Sequence, residues 1–306
     1  MLMVQDFYYP SCGAGNIRAR CWKPDIAPVG IVQLVHGIAE HVERYDDFAA
    51  FLNAQGYLVV AQDHMGHGKS GGENLARGYF YGGWFSAVGD TYRLIQDTMQ
   101  QYPDMPYILF GHSMGSFVAR TILARYPDSG ITGCIICGTG WMPDAVLAMG
   151  KSMGSIVAKL CGEEKPSKLL HNVMFGSYNN RVEHPRTACD WLSRDSKVVD
   201  AYVADPNCGF IASAGLARDM LTGIQYIQKA ETLNMMNRQT PVYFIAGNDD
   251  PVGNFGAGVL QAAEAFRNVG MESVSSKLYP LCRHEILNEI NKEEVYQDIV
   301  KWIQSI

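Results

Sequence analysis

The 306-residue chain has no stretch approaching the roughly 20 apolar residues that cross a bilayer, so no membrane-spanning helix is expected. It has no surplus of positive charge. Its 25 Lys and Arg stand against 31 Asp and Glu, a net charge of −6, and a nucleic-acid surface, which needs a basic patch, is not indicated. Met1 to Pro10 carry Asp6 and no basic residue ahead of an apolar run, which is not the pattern of a secretory leader. Repeats and low-complexity linkers are also missing. Cysteine is present eight times, but scattered through a chain long enough to need no staples, so free thiols in a reducing cytosol are expected. With 47% hydrophobic and 18% charged residues the composition is ordinary for a globular protein, and the length suits one large domain or a domain carrying an insertion.

Five short apolar runs, Ile31–Val35, Tyr57–Ala61, Tyr107–Phe110, Ile131–Ile136 and Val242–Ala246, are nearly continuous, as strands buried on both faces are. Helical spacing separates them: Phe85, Val88, Tyr92, Ile95 and Met99; then Val118, Ile122 and Tyr126; and at the end Val295, Ile299, Trp302, Ile303 and Ile306. Asn291 and Glu294 open that last helix in the pattern of a capping box. Segments around Phe7–Tyr9 and Ile17–Trp22 read as an antiparallel hairpin at one edge. The alternation predicts an α/β fold with a mostly parallel sheet and helices on both faces. Between about Trp141 and Arg238 the strand pattern vanishes, and the spacing of Met149, Met153, Ile156, Val157 and Leu160 predicts an amphipathic helix. The predicted division is therefore a core of residues 1–140 and 239–306 and an inserted helical cap, 141–238, over one end of the sheet.

Gly111-His-Ser113-Met-Gly115 follows an apolar strand and precedes a helix, the setting that a nucleophile elbow requires. Glycines on either side of Ser113 avoid clashes in so tight a reversal. A serine hydroxyl needs a base, and in this arrangement an acid and then a histidine follow at later strand ends. Asp249 and Asp250, after Val242–Ala246, are both candidates for the acid. His284, after the strand-like Ser275–Tyr279, is the one histidine of eight beyond them. The loop His36-Gly-Ile38-Ala-Glu40-His41 follows the first long strand, where oxyanion donors belong. Those expected are the backbone N–H groups of Ile38 and Met114. Glu40 and Arg44, four apart, can pair. Asp63-His-Met-Gly-His-Gly-Lys-Ser70 reads as a tight loop that satisfies its own backbone, and Cys134-x-x-Cys137, within a strand, points its thiols to opposite faces. No metal or organic cofactor is expected.

Taken together, His36-Gly-Ile-Ala-Glu-His41 with Arg44-Tyr45, Asp63–Ser70, Gly111–Gly115, Gly247-x-x-Asp250 and His284 resemble the monoacylglycerol lipase and lysophospholipase-like (serine aminopeptidase-like) family of α/β-hydrolases, over residues 5–140 and 240–305. The resemblance implies a Ser113–Asp250–His284 triad, selecting Asp250 over Asp249, with oxyanion donors at Ile38 and Met114. Arg186-Thr, Asp190-Trp-Leu-Ser-Arg-Asp195 and Asp205-Pro-Asn-Cys-Gly-Phe210 resemble a bacterial subgroup labelled lysophospholipase.

The expected partner is a small-molecule ester with an acyl chain, such as a monoacylglycerol or lysophospholipid. Seven of the fourteen methionines fall between 141 and 236, and methionine suits an adaptable apolar surface. Met149, Met153, Ile156 and Val157 are the candidates for a wall of the acyl pocket. The same stripe could instead touch a membrane surface transiently. Small or aryl esters, thioesters or amides are the alternative substrates, and an inactive hydrolase-fold binding module is the alternative class.

Overall fold

The computed structural model describes residues 3–306. Its centre is one eight-stranded sheet in the order β1-β2-β4-β3-β5-β6-β7-β8. The strands are β1 Met3–Pro10, β2 Asn16–Lys23, β3 Gly30–Val35, β4 Tyr57–Gln62, β5 Tyr107–His112, β6 Gly133–Cys137, β7 Val242–Gly247 and β8 Val274–Tyr279. β1 and β2 form the antiparallel edge hairpin, β2 pairs antiparallel with β4, and the remaining pairs are parallel. Strands β3 to β7 are buried along their whole length, which is why their sequences read as unbroken apolar runs.

Alternate residues of each strand feed two separate cores. In β5, Tyr107 and Leu109 enter the cluster under helices α2 (Trp84–Gln101), α3 (Met114–Arg125) and α9 (Ala257–Asn268), while Ile108 and Phe110 enter the cluster under α1 (Asp46–Ala54) and α10 (Lys292–Ile303). In β6, Cys134 and Cys137 divide between the same two clusters, as their strand spacing requires. All eight cysteines are free.

Two local expectations change. The buried residues of α2 are Trp84, Ala87, Val88, Asp90, Thr91, Leu94, Ile95 and Thr98, leaving Phe85 39% exposed. The face is turned toward two threonines because each hydroxyl donates to the preceding turn, Thr91 to Ala87 O (2.9 Å) and Thr98 to Leu94 O (2.6 Å), and so can be buried. The capping box at α10 does not form: Asn291 makes no side-chain bond to the helix N–H groups. Its Oδ1 accepts instead from Arg194 Nη2 at 2.8 Å, because a guanidinium is the stronger donor.

Between β6 and β7 lie α4 (Asp144–Cys161), α5 (Lys168–Phe175), α6 (Ser196–Ala204), α7 (Ala214–Gln228), α8 (Ala230–Leu233) and two 3-10 turns, Tyr178–Arg181 and Asp190–Leu192. Leu216, Ile224 and Ile227 of α7 and Leu233 of α8 join the main core cluster with Leu94 and Ile122. Leu147 of α4 joins the same cluster, so the interval packs into the main core near both of its ends.

Candidate active site

Chain reversals at the carboxyl ends of β3, β5, β7 and β8 bring the candidate residues to one edge of the sheet, where open α/β sheets bind ligands. Ser113, between β5 and α3, has φ 54° and ψ −121°, a conformation costly for a non-glycine residue. What permits it is close backbone approach. A Cβ on Gly115 would lie 2.0 Å from the Val35 carbonyl oxygen, and one on Gly111 would lie 2.4 Å from the Gly115 carbonyl oxygen. The amide of Ser113 donates to Cys137 O (2.9 Å), which ties the turn to β6. Met114 is the first residue of α3, so its N–H is one of the free donors of that helix end.

Asp250 is fully buried; its Oδ2 lies 2.9 Å from His284 Nδ1 and its Oδ1 accepts from the Val252 amide at 2.9 Å. Asp249 is exposed and its amide is used in the turn, bonded to Cys282 O. The neighbouring aspartates are thus separated by geometry. His284 Nε2 is buried without a hydrogen-bond partner among the described residues, and His284 and Ser113 line the same cavity. No Ser113–His284 hydrogen bond is closed; such contacts are commonly long before substrate is bound.

A buried charge network, only part of which sequence spacing revealed, lies under this edge. Glu40 Oε1 accepts from the Gly37 amide (2.6 Å) and Tyr45 OH (3.1 Å), and Glu40 Oε2 accepts from Arg44 Nη1 (2.8 Å). Arg44 also makes a two-pronged bond to Glu285 (2.7 and 2.6 Å), the residue after His284. His112 Nδ1 lies 3.2 Å from Glu40 Oε1. Burial opposes the charge of His112, but the bond to Glu40 outweighs it and raises its pKa. Burial likewise disfavours the Glu40 carboxylate, yet His112 and Arg44 hold its pKa well below the usual range. Two carboxylates are thereby set against the Arg44 guanidinium, with the His112 imidazole beside one of them, and pairing of this kind is what makes buried charges tolerable. The chain halves carrying the oxyanion loop and the histidine loop are joined by this pairing.

Asp63 behaves as its loop reading requires, accepting from the amides of Val42 (2.9 Å) and Lys69 (3.0 Å) and from Arg18 Nη1 (3.0 Å). The histidines of that loop pack with His36, with ring centroids 4.4 Å apart for His36–His64 and 5.5 Å for His36–His67. Burial pushes His36 and His67 down to about 3, each lowered further by a neighbouring histidine, and pushes His64 well below its ordinary value. These groups stay neutral in the fold but protonate when it opens near pH 6.5 or below. Their stabilisation is therefore complete above about pH 6.5 and weakens progressively as pH falls below it, because the opened chain then binds protons that the fold excludes. The melting temperature should fall steadily from pH 6.5 to 4.5. A constant value over that interval would show that the three rings are not buried neutral.

The cavity has a volume of about 270 Å³. Besides Ile38, Ser113 and His284, its walls are Phe175 and His171 of α5, Trp191 and Leu192 of a 3-10 turn, and Tyr202, Phe210 and Ala212. Trp191 lies against His284, ring centroids 5.0 Å apart. Met149, Met153, Ile156 and Val157 are not on this wall, which corrects the expected pocket lining. The α4 stripe is used differently: Leu147, Gly154 and Ala158 are its buried residues. Met153 and Val157 pack around Ala158 and Leu170, and Met149 and Ile156 are 68% and 59% exposed. The methionine count therefore says nothing about substrate here, since Met220 and Met236 lie in the main core. The real wall was visible only as the Asp190-Trp-Leu and Asp205–Phe210 motifs, whose position over the sheet no spacing reveals.

Comparison with known proteins gives a consistent family. A family model described as "Serine aminopeptidase, S33" matches residues 26–291. A monoacylglycerol lipase of Mycolicibacterium smegmatis is 32% identical over 96% of this chain and 95% of its own length. The monoglyceride lipase of Mus musculus is 28% identical over 93% and 85%. Among solved structures, a thermostable carboxyl esterase from Bacillus coagulans in complex with glycerol superposes with a TM-score of 0.89 at 30% identity, covering 100% of this chain and 99% of that one.

Proposed function

The chain belongs to the serine aminopeptidase, S33 family of α/β-hydrolases and is a serine hydrolase of the lipase and esterase type, and from that premise we propose that Ser113, Asp250 and His284 cleave lipid-like carboxylic monoesters. The observation that carries this is the placement of His284: its Nδ1 is fixed by buried Asp250, its Nε2 is unbonded among the described residues, and His284 and Ser113 line one cavity. His284 takes the Ser113 proton as the oxygen attacks the ester carbonyl. The N–H groups of Ile38 and Met114 receive the oxyanion. His284 then hands its proton to the departing alcohol as the C–O bond breaks. Water, activated by the same nitrogen, releases the acid. Asp250 keeps the imidazole in the tautomer that this requires.

The substrate is a single-chain ester. A largely apolar cavity of about 270 Å³ falls just below the range usual for ligand pockets, roughly 300–1,000 Å³, and suits one acyl chain rather than two. The relatives named for monoacylglycerols point the same way. We assign residues from about 141 to 212 the role of a lid over the strand ends, covering the site and excluding bulk water. Its outer face exposes Met149, Ile156, Leu160, Leu169 and Val173, with Leu160 at 78%, and this face is the proposed site of transient contact with a lipid surface. One experiment tests substrate and surface together: initial rates on glyceryl monoesters from acetyl to palmitoyl, offered as dissolved monomers or in phospholipid vesicles. Medium and long chains should exceed acetyl by at least about tenfold, and Leu160→Glu should slow only the vesicle reaction. A preference for acetyl esters would sink the acyl-pocket reading, and equal vesicle rates in Leu160→Glu would sink the surface contact.

A further inference from the structure

The loop that carries the Ile38 donor is not held by the sheet alone. Ala39 is a non-glycine residue at φ 54°, a conformation that the surroundings must enforce. On one side of the loop, Glu40 Oε1 accepts from the Gly37 amide. On the other, the Ala39 carbonyl accepts two hydrogen bonds, from Tyr202 OH at 3.0 Å and from the Gly209 amide at 2.9 Å. Both donors belong to the interval between β6 and β7: Tyr202 to α6 and Gly209 to the loop that follows it. Between these two anchored ends, Ile38 N–H bonds to nothing among the described residues.

The donor segment is itself clamped to the core. His41 lies between two carboxylates, Nδ1 2.7 Å from Glu43 and Nε2 2.8 Å from Asp205. Arg77 donates to the Pro206 carbonyl and to Asn207 Oδ1, and the Arg44 guanidinium lies 4.8 Å above the Tyr202 ring. Gly209, at φ 63°, is pressed against that ring, a Cβ there falling 3.3 Å from Tyr202 Cε1. Burial opposes protonation of His41, but its bonds to Cys208, Glu43 and Asp205 raise it to about 11, so the bridge keeps its charge at neutral pH. Burial also raises the Tyr202 hydroxyl well above its ordinary value, so it stays a donor.

We propose that Tyr202, together with the Gly209 amide, is a positioning residue for the oxyanion hole: the 202–209 segment fixes the Ala39 carbonyl and thereby aims the Ile38 N–H. The hole is complete only while this segment is docked, so movement of the segment would disarm the enzyme as well as uncover it. This inference rests on the hydrolase reading above. Charge develops on the ester oxygen only during reaction, so a misaimed donor weakens transition-state binding and leaves ground-state binding alone. Outright removal of one such donor costs about 10²–10³ in kcat. Tilting it, with Gly209 still bonded, should cost about tenfold.

The test is Tyr202→Phe, which keeps the ring on the cavity wall and deletes only the hydroxyl, with Asp205→Asn as a second variant that loosens the clamp from outside the cavity. Three quantities are read: the division of any loss between kcat and KM, Ki for an alkyl trifluoromethyl ketone, and affinity for the matching unreactive ether. The ketone forms a tetrahedral oxyanion adduct with the nucleophile and the ether does not. Both variants should lose about tenfold in kcat, the ketone Ki should rise by the same factor, and ether affinity should not change. An unchanged ketone Ki overturns the positioning role, and so does an equal loss of ketone and ether affinity, which would mean the hydroxyl only shapes the pocket. Failure of the parent reading is separate: it would appear in the unsubstituted protein, as a ketone that does not add to Ser113.

Discussion

Ser113→Ala should leave a folded protein whose ester turnover is lower by about 10⁶-fold, His284→Ala should lose about as much, and the double variant should be no worse than either. The geometry explains the non-additivity. Ser113 is held at φ 54° by glycines pressed against backbone on both sides of the turn, so the oxygen is presented to the cavity whether or not a base is there. The proposed base, His284, has an Nε2 with no other partner among the described residues. Without either residue no alkoxide-like nucleophile forms, and removing the second takes away nothing further. The melting curve of Ser113→Ala should stay close to that of the parent, while His284→Ala should melt lower, because it leaves the buried Asp250 carboxylate without its imidazole partner. A Ser113→Ala protein that keeps substantial turnover would mean that another group attacks the ester.

The second large effect separates two adjacent carboxylates. Asp250→Asn should cost about 10⁴-fold, because an amide at that position can hold His284 in the tautomer that presents the wrong nitrogen to the serine. Asp249→Asn should cost less than a few-fold. Only Asp250 reaches His284 Nδ1, at 2.9 Å, while Asp249 points to solvent. The measurement is kcat/KM for one ester with both variants. The reverse ranking would place the acid at 249.

Much of the sheet could be read from the sequence because burial on both faces removes polar residues from a strand, and β3 to β7 are such strands. The elbow and the histidine were legible for a related reason: strand ends fix where a side chain emerges, so order along the chain becomes position in space. Asp249 and Asp250 were not separable by that logic alone, since adjacent residues in a turn differ in direction and not in place. The pocket wall was misread because an amphipathic stripe reveals that a helix has an apolar face and not what covers it. On α4, Leu147, Gly154 and Ala158 are buried while Met149 and Ile156 face outward. Glu285 was missed because its partner, Arg44, lies 241 positions away. Trp191 stands out in the sequence only as part of a motif, since its contact with His284 depends on how the whole interval folds back over the sheet.

The central claim is that one serine of this chain is an activated nucleophile. A fluorophosphonate probe tests it most directly, because it reacts covalently with a serine whose base and oxyanion donors are in place. After incubation at neutral pH, intact mass should rise by a single adduct, peptide mapping should put the adduct on Ser113, and ester turnover should fall in proportion to labelling. Full turnover with no adduct, or an adduct on a different serine, would contradict the account.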